Sequence, residues 1–419
     1  MQKNNKIDHG YYIWFLIWPL WSFIESLRQY RNPISKNIVW LFIVFYGYVI
    51  TSPDYETDTD LMRRVEFFQS WSADYGADFN IYLDRLKDDE EGHTDVVESF
   101  LMFAISRVTN NYRILFMIYG ILFGFFYTRN IWFIFDRIKN KLNKYSIPFF
   151  LAVLIIVPFW NLGIFRFYFA SQIFIFGMLR YIATKKRLNI LICLAAVTVH
   201  FSFFFANLFA LIYMFSGNRT NVYFIVFITS LLFSNIDIES INQSIDFLPK
   251  TMERKAVGYT RSEYVEEVRD NINDINNRWY LNGRQIAGKF AIAMFLIIAF
   301  LNRKKFENDE FLYNCFNFAL LFVAGSFFVN EIPSMDRFLR VSYFFALAFG
   351  LLLLTCDIEN VLFRRLSTFM TWPIYLYIIV EIRTGFDTIG LITVLGNIVF
   401  IPFMESNMAL IEFIKKVGK

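Results

Sequence analysis

The chain has 419 residues, of which 56% are hydrophobic, 20% aromatic and only 19% charged, and it contains 53 phenylalanines. Apolar runs of membrane-spanning length recur along nearly its whole length, which predicts an all-α polytopic membrane protein and excludes a soluble globular class. The net charge of +4 gives no indication of nucleic acid as a partner.

The predicted membrane segments cover, in chain order, residues 11–27, 38–52, 112–128, 146–160, 164–182, 188–215, 221–236, 286–301, 310–329, 338–356, 367–382 and 387–404. They make about 11 to 13 segments within a single integral membrane domain, residues 1–419. No small-residue cleavage site follows the N-terminal residues, so the first segment is interpreted as a retained helix rather than a signal peptide.

Basic connectors predict how the chain crosses the membrane, because short cytoplasmic loops collect lysine and arginine. They lie at 28–36, 129–144, 185–187, 303–305, 364–365 and 415–416, and all are expected to be cytoplasmic. A single crossing by residues 188–215 would export the connector at 303–305. A re-entrant hairpin or broken helix that turns near His200 removes this conflict, and each half is too short to span. A single tilted helix is the alternative.

This path exports two long loops, residues 53–111 and 237–285. The first carries 14 acidic and 5 basic residues, and its segment 96–108 is amphipathic, which is typical of a helix along the membrane surface. Neither loop is large enough to be an independent enzyme domain. Neither GxxxxGK[ST] nor a strand-turn GxGxxG occurs in the sequence, so we do not expect ATP-driven transport by this chain alone.

Two ionisable residues stand out within or beside apolar segments. His200 lies inside one, where an ionisable side chain is costly and indicates a functional site. It suits a general base or a hydrogen-bond donor to a polar ligand, and a buried structural imidazole is the alternative. Arg166 begins the preceding segment at its exported end, where it can grip phosphate oxygens or act as an interfacial arginine beside aromatic residues.

A second exported cluster is predicted in the turn at 331–340. Arg337 and Arg340 are three residues apart and are expected to share a helix face, with Glu331 and Asp336 beside them. They suit either a cationic site balanced by a carboxylate or an internal set of salt bridges.

A third group precedes the segment at 286–301. It consists of Arg278, Trp279, Tyr280 and Arg284. Aromatic rings beside polar groups suit sugar rings, and an interfacial aromatic anchor is the equal alternative.

Other motifs limit the reactions and metal sites that we expect in this chain. The triplet Asp58-Thr59-Asp60 is either catalytic, a divalent-ion site or an ordinary part of an acidic loop. Cys193, Cys315 and Cys356 lie in or beside apolar segments without metal-binding or redox spacing, which favours structural roles. HExxH motifs, nucleophile elbows and ligand-spaced His/Cys sets do not occur, which argues against zinc and serine hydrolases.

These elements together resemble the EpsG/Wzy-like family of bacterial polysaccharide polymerases, over residues 55–345. The resemblance lies in their arrangement along the chain: Asp58-Thr59-Asp60, then Arg166 with Ala170, Gln172 and Gly177, then Ala195, Ala196, His200 and Ser202, and finally Arg337. Phe167 follows Arg166 where the family often has Gln.

The resemblance implies a GT-C-like membrane glycosyltransferase of the bacterial inner membrane. Its substrates would be undecaprenyl-diphosphate-linked oligosaccharides, both donor and acceptor, with surrounding lipid and a chain-length regulator protein as further partners. His200 is the first candidate base, with Glu331 or Asp58 as alternatives, and the arginines at 166, 278, 284, 337 and 340 are candidates for binding diphosphate. Because arginines supply the positive charge, no metal or other cofactor is expected.

Three other functions stay open at this point. A flippase for lipid-linked sugars is the non-enzyme alternative, although no convincing repeat between the two halves of the chain supports it. A membrane acyltransferase can also use an intramembrane histidine. A glycosyltransferase that adds one sugar from a polyprenyl-phosphate sugar would depend more on the Asp58–Asp60 triplet.

Overall fold

The computed structural model describes residues 10–52, 59–74, 76, 78–87, 95–232, 279–330, 332, 334–356, 361–404 and 407–418, and within these the side chains of 85–87, 279, 361–368 and 402 are not described. The helices are α1 Gly10–Ile17, α2 Pro19–Arg28, α3 Ser35–Tyr48, α4 Asp60–Ala73, α5 Phe79–Lys87, α6 Val96–Ser106, α7 Tyr112–Phe135, α8 Ser146–Ile155, α9 Phe165–Thr184, α10 Leu188–Val199, α11 Phe203–Ser216, α12 Thr220–Leu232, α13 Trp279–Leu301, α14 Glu310–Phe328, α15 Arg337–Leu354, α16 Val361–Gly385, α17 Leu391–Leu395 and α18 Leu410–Val417. Short 3₁₀ turns occupy Phe159–Ile164, Arg303–Lys305 and Ile401–Phe403.

The fold is that of an all-α polytopic membrane protein, as predicted. Within the described ranges, five helical stretches are long and apolar enough to span a bilayer: Tyr112–Phe135, Ser146–Thr184, Tyr280–Leu301, Glu310–Phe328 and Arg337–Leu354. The second of these stretches is interrupted by the 3₁₀ turn at Phe159–Ile164. The two predicted segments 146–160 and 164–182 therefore correspond to α8 with this turn and to α9.

The basic connectors at 28–36, 129–144 and 303–305 gather at one end of the helices, which we call the basic face. Arg31 donates to the carbonyl of Asn140 over 3.0 Å, and Asn140 donates to the carbonyl of Thr355 over 2.9 Å. Lys139 pairs with Asp309 over 2.8 Å, just after the connector at 303–305. Contacts between residues so distant in sequence place these loops together, as the charge pattern predicts.

Residues 188–216 form the predicted hairpin. Lys185, before α10, donates from Nζ to the hydroxyl of Tyr213 near the end of α11 over 3.1 Å. That hydroxyl also donates to the carbonyl of Asn314 in α14. Both ends of the hairpin therefore lie at the basic face, and His200 lies at the turn between α10 and α11. The 12 and 14 residues of these helices reach only about 18 and 21 Å, which is short of a full crossing.

The first predicted segment, 11–27, is not one crossing helix. It breaks at Trp18 into α1 and α2, and Pro19 begins the second helix. The Tyr11 hydroxyl hydrogen-bonds to the side chain of Gln29. A straight helix would hold these residues about 27 Å apart, so the chain folds back and α1 also begins at the basic face.

The C-terminal stretch contains two further corrections. Residues 387–404 form no continuous helix, because α17 has only five residues and ends at Gly396. The segment after it lies at the opposite end of the helices, which we call the distal face, where α3 ends and α9 begins. Thr51 donates to the carbonyl of Asn407 over 2.7 Å, and Leu410 N–H donates to the carbonyl of Ile389. The prediction that Lys415 and Lys416 join the basic face is therefore wrong.

Helices α3 and α7 pack closely because of glycine. A side chain at Gly47 of α3 would meet the backbone carbonyl of Phe116 in α7, and one at Gly120 of α7 would meet the carbonyl of Ile43. Small residues at such contacts let helix backbones approach in a membrane, where burial of apolar surface provides no driving force between helices.

The orientation of the tail is testable by labelling. In a cysteine-free background, we expect Lys416→Cys to react with a membrane-impermeant maleimide in intact cells, and Lys304→Cys only after permeabilisation. The reason is that the two lysines lie at opposite ends of the helices, and the charge rule assigns the basic face to the cytoplasm. Labelling of both cysteines from the same side would contradict the fold described above.

Candidate active site

The hairpin turn holds His200 against a carboxylate. Its backbone is extended, with φ −151° and ψ 115°, so the helix ends there. Its Nδ1 lies 3.0 Å from Oδ2 of Asp95, and the N–H of Phe201 donates to Oδ1 of the same carboxylate over 3.0 Å. With Nδ1–H donating to Asp95, the other ring nitrogen, Nε2, carries the lone pair. One carboxylate thus orients both the imidazole and the turn that carries it.

Asp95 belongs to the predicted exported loop and immediately precedes α6. Burial alone would raise the pKa of Asp95, but the hydrogen bond and charge of His200, the charge of Arg166 and the N–H of Phe201 lower it to about 2. The group is therefore an anion at neutral pH. Its contribution to folding stability is present above its ordinary pKa and is lost as the pH falls towards 2.

Arg166 joins the first turn of α9 to the start of α6. Its Nη1 lies 3.0 Å from Asp95 and its Nε 3.0 Å from Glu98. Glu98 also accepts from Nε of Arg64 over 2.7 Å. The side chains of Asp95, Glu98 and Arg64 are each less than a tenth exposed, whereas that of Arg166 is 41% exposed. Arg166 thus holds the carboxylates in place and also borders open space.

Two adjoining cavities open around this network. The larger one, about 390 Å³, is lined by His200, Ser202, Ile164, Phe167, Ser334, Met335 and Arg337, together with Asp60, Arg63, Arg64 and Arg166. The smaller one, about 200 Å³, shares the last four residues and adds Phe67, Asp95, Glu98, Ser99 and Met102. α9 is 20 residues long, or about 30 Å, so the cavities lie about one bilayer core away from the basic face.

The described residues that line the cavities carry a surplus of positive charge. They include four arginines and three carboxylates, before any proton on His200 is counted. Arg337 supplies the surplus, because it has no carboxylate partner among the described residues. Its guanidinium lies 6.0 Å from the ring centre of Phe167, within cation–π range. An anionic ligand would find its least compensated cation there.

The acidic triplet contributes to the site through its last residue. Thr59 caps α4 by accepting from the N–H of Met62, and Asp60 borders both cavities beside Arg63 and Arg64. Asp58 lies outside the described residues. Within the ranges that the structure describes, no group of three or more His, Cys, Asp and Glu side chains is arranged to hold a metal ion.

Arg340 and Arg284 form a separate cluster. Both pair with the buried Glu381 of α16, at 2.6 and 2.8 Å. Arg337 and Arg340 lie about 60° apart around α15, yet only Arg337 reaches the larger cavity. Tyr280 lies 5.8 Å from the Arg383 guanidinium, and Asp336 occupies the N-cap position of α15. Arg278 and Glu331 fall outside the described residues, as does the side chain of Trp279.

Four residues of the larger network were not predicted as site residues: Arg63, Arg64, Asp95 and Glu98. All lie in the predicted outer loop among many other charges, and nothing in their local sequence separates them from solvated residues. The one available signal is that Asp95 and Glu98 flank the start of an apolar amphipathic helix. Glu381 was missed as well, although it is a carboxylate within an apolar segment, which indicates a structural or functional role.

The fold and these cavities define a multi-pass membrane protein with a charged, partly buried site at one end of its helices. Comparison with protein families agrees with this class: the EpsG family model matches residues 37–407. The chain belongs to the EpsG family, whose role is polysaccharide biosynthesis of a polymerase type. No curated protein and no solved structure is detectably similar to it.

Proposed function

We propose that this protein is a polysaccharide polymerase that joins undecaprenyl-diphosphate-linked oligosaccharide repeat units on the exported side of the bacterial inner membrane. The observation that carries the proposal is the His200–Asp95 pair, which is held at a hairpin turn and borders a cavity with a surplus of positive charge. A histidine oriented by a carboxylate suits the role of general base, and an arginine without a carboxylate partner among the described residues suits a diphosphate leaving group.

The transfer proceeds in one balanced step. The acceptor hydroxyl gives its proton to Nε2 of His200 as its oxygen forms a bond to the anomeric carbon of the donor sugar. The bond from that carbon to the diphosphate oxygen breaks, and the lipid diphosphate leaves with the electron pair. Asp95 stabilises the imidazolium that forms, because its carboxylate already faces Nδ1. The imidazolium afterwards releases its proton to water.

The arginines have different roles in this proposal. Arg337 is the first candidate for contacting the diphosphate, where negative charge develops as the bond breaks. Arg166 is committed to Asp95 and Glu98, so its role includes positioning the carboxylate that orients His200. Arg284 and Arg340, with their shared partner Glu381, are candidates for a more distant part of the substrate. In this proposal no step requires a metal ion.

Reconstitution tests the proposal directly. Purified protein in liposomes, supplied with lipid-linked repeat units from cells that lack the polymerase, is expected to produce a ladder of longer lipid-linked glycans without ATP. A flippase would move the units across the bilayer and leave their length unchanged. A glycosyltransferase that adds single sugars would require a polyprenyl-phosphate sugar in the assay. Absence of the ladder with correctly folded protein in the liposomes contradicts the proposal.

A further inference from the structure

One face of α4 lines both cavities. Asp60, Arg63, Arg64 and Phe67 follow the i, i+3, i+4, i+7 spacing that places residues on one side of a helix. The first three line both cavities, whereas Phe67 lines only the smaller one. The smaller cavity is therefore a distinct space with its own wall, although it adjoins the larger one.

The smaller cavity has the chemistry of a sugar site. Phe67 and Met102 form an apolar wall, while Asp60, Arg63 and Ser99 bring polar atoms. A sugar ring presents an apolar C–H face and a rim of hydroxyl groups, so it is matched by an aromatic ring beside hydrogen-bonding groups. The volume of 200 Å³ is below the roughly 300 Å³ at which sites for drug-sized ligands begin, and it suits a single sugar residue.

Among the carboxylates of this cavity, Asp60 is the accessible one. The side chains of Asp95 and Glu98 are 8% and 7% exposed, and arginines occupy them at 2.7 to 3.0 Å. The side chain of Asp60 is 35% exposed, and its contacts with Arg63 and Arg64 are longer, at 3.4 and 3.5 Å. An incoming hydroxyl group can donate to Asp60 without breaking the buried network.

We infer that the smaller cavity binds the terminal sugar of the acceptor, with Asp60 accepting a hydrogen bond from a sugar hydroxyl and Phe67 packing against the ring. This inference rests on the proposed polymerase function. It places the acceptor beside Asp95, whose partner His200 borders the larger cavity, where Arg337 receives the donor's diphosphate. The acceptor hydroxyl and the anomeric carbon then meet where the two cavities join, next to the base.

The test separates the two substrates in the liposome assay. The donor is the lipid-linked repeat unit, and the acceptor probe is the same oligosaccharide freed of its lipid diphosphate and labelled at its reducing end. We expect Asp60→Asn to raise the KM of the labelled probe about tenfold and to leave the KM of the lipid-linked donor unchanged. The amide oxygen of Asn is a neutral acceptor, and a hydrogen bond to a charged acceptor is stronger by about this much. Arg337→Ala is expected to do the reverse.

Asp84→Asn is the matched control, because Asp84 belongs to the same loop and borders neither cavity. Phe67→Leu serves as a second variant and is expected to raise the KM of the probe while preserving the apolar contacts of α4. If Asp60→Asn raises the KM of both substrates equally, or changes neither KM, the acceptor site is wrong and the proposed polymerase function is unaffected. A wild-type protein that elongates neither the donor nor the probe overturns the proposed function and this inference with it.

Discussion

His200→Ala is expected to abolish polymer formation while the protein still folds and reaches the membrane. General-base catalysis contributes about 10² to 10⁴ in rate, so at least a hundredfold loss of kcat is expected in the liposome assay. In cells, single lipid-linked repeat units should accumulate in place of long chains on a gel. The imidazole lies at a turn and borders a cavity, so its removal leaves no buried void of the kind that destabilises a core.

Asp95→Asn should cause much of the same loss, because an amide cannot stabilise the imidazolium as a carboxylate does. If the two residues act as a unit, the double variant should be about as slow as His200→Ala alone. Thr198→Ala is the matched control. Thr198 lies two residues before His200, and among the described residues its hydroxyl donates to the carbonyl of Ala195 in the same helix. If the His200→Ala variant makes polymer of wild-type chain length, His200 is not the general base.

Glu381→Ala is expected to destabilise the protein by about 3 to 5 kcal/mol, because it leaves two arginines in a largely buried position without their partner. Glu381 joins three helices, pairing with Arg284 of α13 and Arg340 of α15 from its own place in α16. The measurement is the thermal midpoint and the yield of monodisperse protein in detergent. Glu307→Ala, at an exposed position on the basic face, is the matched control and should leave both unchanged.

A triple variant tests whether unpaired charge causes the loss of stability in Glu381→Ala. Substituting Met for Arg284, Arg340 and Glu381 together removes the charges along with their partners, and well-packed apolar residues often replace a buried ion network at little cost. We therefore expect the triple variant to be more stable than Glu381→Ala. A triple variant that is less stable than Glu381→Ala would show that the charges are not the reason for its loss.

Charge and hydropathy predict the hairpin at residues 188–215, with a single tilted helix as the alternative, and the structure has the hairpin. The charge rule places the connectors at 185–187 and 303–305 on the same side, and a single crossing by 188–215 would separate them. The same rule failed at Lys415 and Lys416, where backbone hydrogen bonds to residues 386 and 389 keep the tail at the distal face. The rule does not detect the α1–α2 hairpin either, because the basic residues follow α2 and no charged loop separates the two helices; the fold-back is seen in the contact between Tyr11 and Gln29.

The sequence alone predicts the membrane class, the all-α fold, the importance of His200 and Arg166, and the helix break at His200. The partners of these two residues depend on the tertiary structure. Asp95 lies 105 positions before His200 along the chain, and Glu381 lies 97 positions after Arg284. Hydropathy and loop charge are local properties of a segment, whereas the pairing of a carboxylate with a cation depends on how distant helices pack. Many acidic residues in the outer loop look alike in sequence, and burial against α9 and the hairpin turn selects Asp95 from among them.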